Sequence, residues 1–259
     1  NTLICYLQDN GACAEPMGRQ GEFKPRAERP EFPAMAPTDL QHGSVPRQTR
    51  DGWRVRMGYG VLPGPADTYI GYGRDWANVS NTPFREYKHW VHEGGISTPL
   101  VAHWPAGIEA HGELRAQPGH LVDLMATAVD LAGAKYPAEL NGEKILPMQG
   151  VSLRAAFADE SLPRTEPIFF EHEGNRAVRD GRWKLVAKGP AGKWELYDMT
   201  ADRTETRDLA SAEPMKLQEL VGKWESWARR TNAIPWPHVP QYGEKPQPDG
   251  AGRKGKKKQ

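Results

Sequence analysis

Cysteine is scarce in this sequence: Cys5 and Cys13 are the only two among 259 residues. A disulfide framework is thereby excluded as the source of stability. Long apolar runs are missing too. Hydrophobic residues make up 38% of the chain, and no stretch approaches the roughly 20 consecutive apolar residues of a membrane-spanning helix. Charge of one sign is not in excess. Lys and Arg number 34 against 33 Asp and Glu, for a formal net charge of +1. That balance gives no electrostatic reason to expect a nucleic acid or an anionic membrane surface as partner. The first residue is Asn1 rather than Met, and the chain passes at once into Leu3-Ile4-Cys5-Tyr6-Leu7. A buried strand with no lead-in is expected of a processed chain or of part of something longer, so the lack of a signal segment says nothing about compartment.

Glycine and proline are abundant, at 27 and 23 residues. Together they make up about one residue in five, against an average near 12%. Compact elements separated by long connections follow from that. Residues 1–8 read as a short apolar strand of the kind buried in a parallel sheet. The Asp9-Asn10-Gly11 turn ends it. Residues 18–46 and 47–80 show no period and read as irregular segments, which in open α/β folds line a site or cover a face. Thr82 to Glu93 reads as a helix with Thr82 as N-cap and Pro83 as its first residue, broken by Gly94-Gly95. Residues 96–104 read as a second buried strand. Leu121, Leu124, Met125, Ala128 and Leu131 predict a helix over 120–132 with Gly133 as its C-terminal stop. Residues 153–157 add a helical turn.

From Ile168 the texture changes. Short β-like pieces at 168–170, 175–179, 183–186 and 194–198, with Asp180-Gly181 as a hairpin signal, predict an antiparallel meander. Pro214 to Arg230 predicts an amphipathic helix, with Leu217, Leu220, Val221, Trp224, Trp227 and Ala228 on one face. The chain then becomes Pro-rich and ends in a basic tail expected to be disordered. The predicted fold class is therefore α/β: a parallel-sheet unit over 1–160, a small antiparallel sheet with one helix over 165–235, and a tail over 236–259.

Several residues invite chemistry. Asp9 and Asn10 follow the carboxyl end of a buried strand, where ligands bind in open α/β sheets. A carboxylate beside an amide oxygen suits a hard cation, although Asp-Asn-Gly is equally an ordinary tight turn. Lys88 lies ahead of Glu93-Gly94-Gly95, where an ammonium near a glycine turn can hold an oxyanion; a solvated surface lysine is the commoner case. His89, His92 and Glu93 occur in the order H-x-x-H-E rather than H-E-x-x-H and lack an obvious third ligand, so structural histidines are the better reading. Glu171-His172-Glu173-Gly174-Asn175-Arg176 is a polar cluster on a turn, able to face a polar substrate or to serve as a charged hairpin tip. Cys13 has no histidine at a convincing spacing and reads as a small packed residue rather than a nucleophile.

Taken together, these residues resemble the arylsulfatase family. The resemblance rests on Leu7 to Gly11, Asn81 to Leu100, His103 to Ile108, Glu171 to Ala177 and Trp194 to Met199. Their order and spacing agree up to about residue 235, and the K-x₄-E-G-G element with its following Thr-Pro is the most specific part. The resemblance is to the second half of the family. It implies a partial alkaline-phosphatase-like α/β/α core followed by a small antiparallel subdomain. It further implies hydrolysis of sulfate esters by a formylglycine nucleophile, made from the Cys or Ser of a C/S-x-P-S/A-R motif, with Ca²⁺ polarising the sulfate oxygens and Mg²⁺ as second choice. Asp9 and Asn10 fall on two of the four metal ligands, and Lys88 on the lysine that contacts the sulfate and the leaving oxygen. His172 takes a substrate-contact role, and Trp76 a stacking face for a sugar or aryl group.

The departures are equally definite. Neither Cys5 nor Cys13 has the nucleophile's context, and the first metal-ligand pair is absent. These 259 residues carry about half a site, and by themselves are expected neither to fold well nor to turn over substrate. The competing expectations are a phosphate or phosphonate ester hydrolase of the same superfamily, and a non-catalytic fragment or glycan-binding module. The Asn10 amide, in place of a further charged ligand, favours one Ca²⁺ and hence sulfate. The implied partner is a small-molecule or carbohydrate sulfate ester, with no nucleic acid and no membrane span. Family habit implies a periplasmic or secreted location.

Overall fold

The computed structural model describes residues 1–234; the tail predicted over 236–259 lies outside them. Strand β1 (Ile4–Leu7) pairs with β2 (Leu100–His103) in a two-stranded sheet. The pairing is antiparallel, Ile4 opposite His103 and Leu7 opposite Leu100. This corrects the expectation of a buried parallel strand, and Tyr6 and Val101 stand 64% and 58% exposed. An apolar run reports affinity for burial; the direction of its neighbour and the element that covers it are not written in it.

Between these strands, residues 18–72 contain no helix or named strand, only isolated bridges between Gln48 and Arg54 and between Arg56 and Thr68. That agrees with their lack of period. Helix α1 (Arg74–Asn81) falls where irregular chain was expected, and Thr82 is its C-cap instead of opening a helix. Residues 83–92 are not helical. Glu86 and His89 take φ values of 66° and 92°, left-handed conformations that interrupt a helix. Only α2 (Glu93–Ile96) is helical here, and it contains Gly94 and Gly95.

Close packing explains why. A Cβ on Gly11 would sit 1.8 Å from the Gly94 carbonyl oxygen, and one on Gly95 would sit 1.9 Å from the Trp90 carbonyl oxygen. Three backbone segments meet where a side chain has no room, and this tertiary demand outweighs the local helix signal.

Helix α3 (Val122–Leu131) follows as predicted, with Gly133 at φ 59° behind it. Its buried Asp123 accepts the Val151 N–H at 2.9 Å and pairs with Arg164, tying the following loop back to the helix. A hairpin of β3 (Glu139–Leu140) and β4 (Glu143–Lys144) turns at Asn141-Gly142, a hairpin signal the sequence reading passed over. Helix α4 (Arg154–Phe157) is the short turn expected there.

Strands β5 (Ile168–His172), β6 (Asn175–Asp180), β7 (Trp183–Ala187) and β8 (Glu195–Asp198) form the predicted antiparallel meander, in sequence order. Helix α5 (Pro214–Arg230) has the predicted bounds. Alternation along the strands sorts two faces. Val178, Leu185 and Leu196 pack on Leu220, Trp224 and Ala228 of α5. Ala177, Val186 and Tyr197 point the other way, onto Val91 and Ile96. Each fully buried large side chain contributes about 2 kcal/mol. The 91–96 segment thus packs as a cover on the meander, although it precedes β2 in sequence. Among the described residues no helix is long and apolar enough to cross a membrane.

Candidate functional site

Main-chain hydrogen bonds lace the turn after β1 to the segment before α2. Gly11 N–H donates to the Gly95 carbonyl at 2.9 Å, and Lys88 N–H to the Ala12 carbonyl at 3.0 Å. The Asn81 side chain bridges both segments, accepting from Ala12 N–H at 3.1 Å and donating to the Glu86 carbonyl at 2.9 Å. The Thr98 hydroxyl donates to the Gln8 carbonyl at 2.8 Å. Asp9, Asn10 and Lys88, far apart in sequence, therefore belong to one hydrogen-bonded loop cluster.

The side chains around Lys88 are committed to the meander. Arg85 donates to the Tyr197 hydroxyl at 2.8 Å, the Glu205 carbonyl at 2.6 Å and the Glu195 carboxylate at 3.3 Å. Fully buried His92 faces the same carboxylate at 3.4 Å, and Tyr197 donates to it at 2.6 Å. Hydrogen bonding from His92, then from Tyr197, with the Arg85 charge, outweighs burial and holds the Glu195 pKa down to about 2. Burial, and then the neighbouring carboxylate, push the Tyr197 hydroxyl well above its usual range.

Beside this network, Lys184 Nζ lies 2.8 Å from Glu93 and 2.7 Å from Glu205. Glu205 also accepts the Glu93 N–H at 2.8 Å. Burial alone would raise the Glu93 carboxyl, but Lys184, with Arg179 and Arg203, holds it below the ordinary range. Glu86 pairs with Lys188. By contrast, the side chains of Asp9, Asn10 and Lys88 make no hydrogen bond or ion pair among the described residues, and Asp9 and Lys88 are exposed. An ordinary surface lysine is also unpaired; Lys88 differs in that its main chain is tied to the turn after β1, directly through its own N–H to Ala12 and next door through the Asn81 bridge.

His172 lies at the exposed end of β5, and the β5–β6 hairpin carries it to His89, the residue after Lys88. The two rings meet edge to face with centroids 5.3 Å apart. Glu173 Oε2 is 3.1 Å from His89 Nδ1. Burial, aided by His172 and opposed by Glu173, lowers the His89 pKa. One ligand atom from each of His89, His172 and Glu173 lies within 4.8 Å of the other two. Two imidazoles and a carboxylate form a transition-metal donor set. The surroundings of His89 oppose that use. A metal-bound imidazole donates its second N–H to an acceptor, whereas His89 Nε2 faces the Asn175 amide nitrogen at 3.2 Å.

The sequence cluster of His89, His92 and Glu93 is split by the structure: His92 and Glu93 serve the two buried networks, and only His89 reaches His172. Sequence reasoning missed that meeting, for which the polar hairpin from Glu171 to Arg176 was the one available sign. Trp76 stands 59% exposed on α1. Cys5 and Cys13 are free and half-buried.

The chain is similar to known proteins in sequence and in fold. The sulfatase family profile covers residues 1–134, and the profile of the C-terminal part of N-sulphoglucosamine sulphohydrolase covers residues 85–226. The arylsulfatase of Klebsiella aerogenes is 38% identical over 156 residues, 60% of this chain and 28% of that protein. A sulfatase of Formosa agariphila is 25% identical over 190 residues, 61% of this chain and 34% of that protein. The crystal structure of Ps i-CgsB in complex with k-i-k-neocarrahexaose superposes with a TM-score of 0.50 at 26% identity, covering 67% of this chain and 37% of that one. The chain spans about a third of the length of the curated relatives it matches. Its α/β fold is the alkaline-phosphatase-like one. Two overlapping profiles, each spanning more than half of these residues, show that the chain belongs to the sulfatase family.

Proposed function

We propose that this chain supplies the metal-binding turn and the sulfate-binding lysine of a sulfuric ester hydrolase. The observation that carries the reading is the loop cluster in which Asp9, Asn10 and Lys88 share a hydrogen-bonded frame while their side chains stay uncommitted. The donor set fits the implied metal: a carboxylate and an amide oxygen are hard ligands, suited to Ca²⁺ before Mg²⁺ and poorly suited to zinc. A Ca²⁺ ion held there supplies Lewis acidity toward the sulfate oxygens. Lys88 binds the sulfate as a point charge and offsets negative charge growing on the leaving oxygen as the S–O bond breaks. His172, at the exposed hairpin end, meets the ester's organic part. No nucleophile is assigned to this chain, because Cys5 is followed by Tyr-Leu-Gln and Cys13 by Ala-Glu-Pro.

A sulfated carbohydrate is the substrate class the reading favours. Its support is the solved relative crystallised in complex with k-i-k-neocarrahexaose. The family's periplasmic or secreted habit accords with such a substrate. The test is hydrolysis of p-nitrophenyl sulfate and of sulfated oligosaccharides by the intact protein, with p-nitrophenyl phosphate and a phosphonate monoester as comparators. Sulfate turnover abolished by both Lys88→Ala and Asp9→Ala is the expected result. Preference for phosphorus esters, or sulfate turnover indifferent to both substitutions, overturns the reading.

A further inference from the structure

We infer that Asn175 is a positioning residue that locks His89 in one tautomer and one backbone conformation, and so aims Lys88 at the ester. The inference deepens the sulfatase reading and rests on it for the role of Lys88.

Asn175 is buried at the start of β6, 1% exposed. The Gly189 N–H donates to its Oδ1 at 2.9 Å. Only the amide oxygen can accept that bond, so the NH₂ group must face His89. There it lies 3.2 Å from His89 Nε2 and 3.2 Å from the His89 carbonyl oxygen. Its two hydrogens have two acceptors, and Nε2 is one of them. The ring proton therefore resides on Nδ1, which faces Glu173 Oε2 at 3.1 Å. The same geometry disfavours a metal among His89, His172 and Glu173, because Nδ1 would have to lose its proton and Nε2 would gain one against an amide donor.

The backbone adds a second, independent observation. His89 takes φ 92°, a costly left-handed conformation for a residue with a side chain, held only where its surroundings over-determine it. The Asn175 bond to the His89 carbonyl is one such restraint, and the Lys88 N–H bond to Ala12 is another. These two bonds hold the residue pair Lys88–His89 at both ends. Strain held at a site by a buried amide is the expected device for presenting the lysine in one direction.

The test reads the lock and its consequence separately. Imidazole ¹⁵N spectra of the unsubstituted chain should show His89 protonated at Nδ1 and bare at Nε2, unmoved by equimolar Zn²⁺. Asn175→Ala should give mixed tautomers. In turnover by the intact protein, Asn175→Ala should lower kcat at least about tenfold for phenyl sulfate and less than about threefold for p-nitrophenyl sulfate, because a misaimed lysine matters most when the leaving oxygen carries most charge. Asn175→Asp keeps the acceptor for Gly189 and removes both donors; it should move the proton to Nε2 and serves if the alanine variant fails to fold. A protonated Nε2 in the unsubstituted chain, a Zn²⁺-induced shift, or an equal loss for both esters overturns the inference. If the intact protein, with the nucleophile that these residues lack, hydrolyses no sulfate ester, the sulfatase reading fails and takes the aiming of Lys88 with it, while the spectra still decide the lock.

Discussion

Glu93 and Lys184 meet at 2.8 Å with both side chains almost out of water, 9% and 1% exposed. Glu205 closes the group on the other side of the ammonium at 2.7 Å, itself fully buried. One cation thus serves two carboxylates, and the glutamate of the K-x₄-E-G-G element is spent on holding that element to the meander. Removing the cation leaves two like charges facing each other in a poorly hydrated space. Lys184→Met, close in size but neutral, should cost about 3–5 kcal/mol in chemical denaturation. A loss below about 1 kcal/mol would mean that Arg203 or water takes over the role.

Acid should expose the second network. The Glu195 carboxyl is held at about 2 in the folded chain, from an ordinary value of 4.5. A carboxyl with a depressed folded pKa adds stability above its unfolded value, and that stability drains away as pH falls through the folded one. The window is therefore from about pH 4.5 down to about 2. Glu195 is 31% exposed, so the contribution after solvent screening is on the order of 1–2 kcal/mol. Glu195→Gln should be less stable than the unsubstituted chain at pH 7 and show a shallower decline in that window. Parallel pH profiles for the two would exclude the carboxylate as the titrating group.

Parts of this architecture were legible because their signals are local. The meander announces itself in short β-rich pieces joined by Asp180-Gly181, and α5 in the spacing of Leu217, Leu220, Trp224 and Trp227. Residues 82–93 defeat a local pattern for the opposite reason. Their composition favours a helix, but Arg85, His92 and Glu93 are drawn to Glu195, Lys184 and Glu205, partners about a hundred residues further on, and no local pattern records that. The site divides in the same way. Asp9, Asn10 and Lys88 could be named from a motif, whereas the meeting of His89 with Asn175 exists only once the hairpin packs on the loop.

The glycines give a test with a built-in control. A Cβ at position 11 would lie 1.8 Å from the Gly94 oxygen, and one at position 95 would lie 1.9 Å from the Trp90 oxygen. Backbone atoms cannot swing aside as a side-chain tip can. Gly11→Ala and Gly95→Ala should each destabilise by more than about 2 kcal/mol, since the loop cluster must open to admit the methyl. Gly222 is an exposed glycine within α5 with nothing within 4 Å of its would-be Cβ. Gly222→Ala should stabilise by about 0.5–1 kcal/mol through helix propensity alone. Tolerance at positions 11 and 95 would mean that the loop cluster is looser than its hydrogen bonds suggest.

The two halves of the proposed site should separate by readout. Asp9 and Asn10 offer only oxygen donors, so a hard cation should stabilise the folded chain by mass action, about 2.7 kcal/mol at a concentration 100-fold above its Kd. Calcium should therefore raise the melting temperature, a chelator should reverse the rise, and Asp9→Ala should abolish it. Among the described residues Lys88 pairs with no charged group, so Lys88→Ala should leave both the melting temperature and its calcium response within error. Its effect belongs to the reaction. Withdrawing one preorganised charge from the developing oxyanion should cost about 10²–10³ in kcat. A Lys88→Ala protein that melts early would return Lys88 to a structural role, and one that melts normally yet turns over at full rate would remove it from the site altogether.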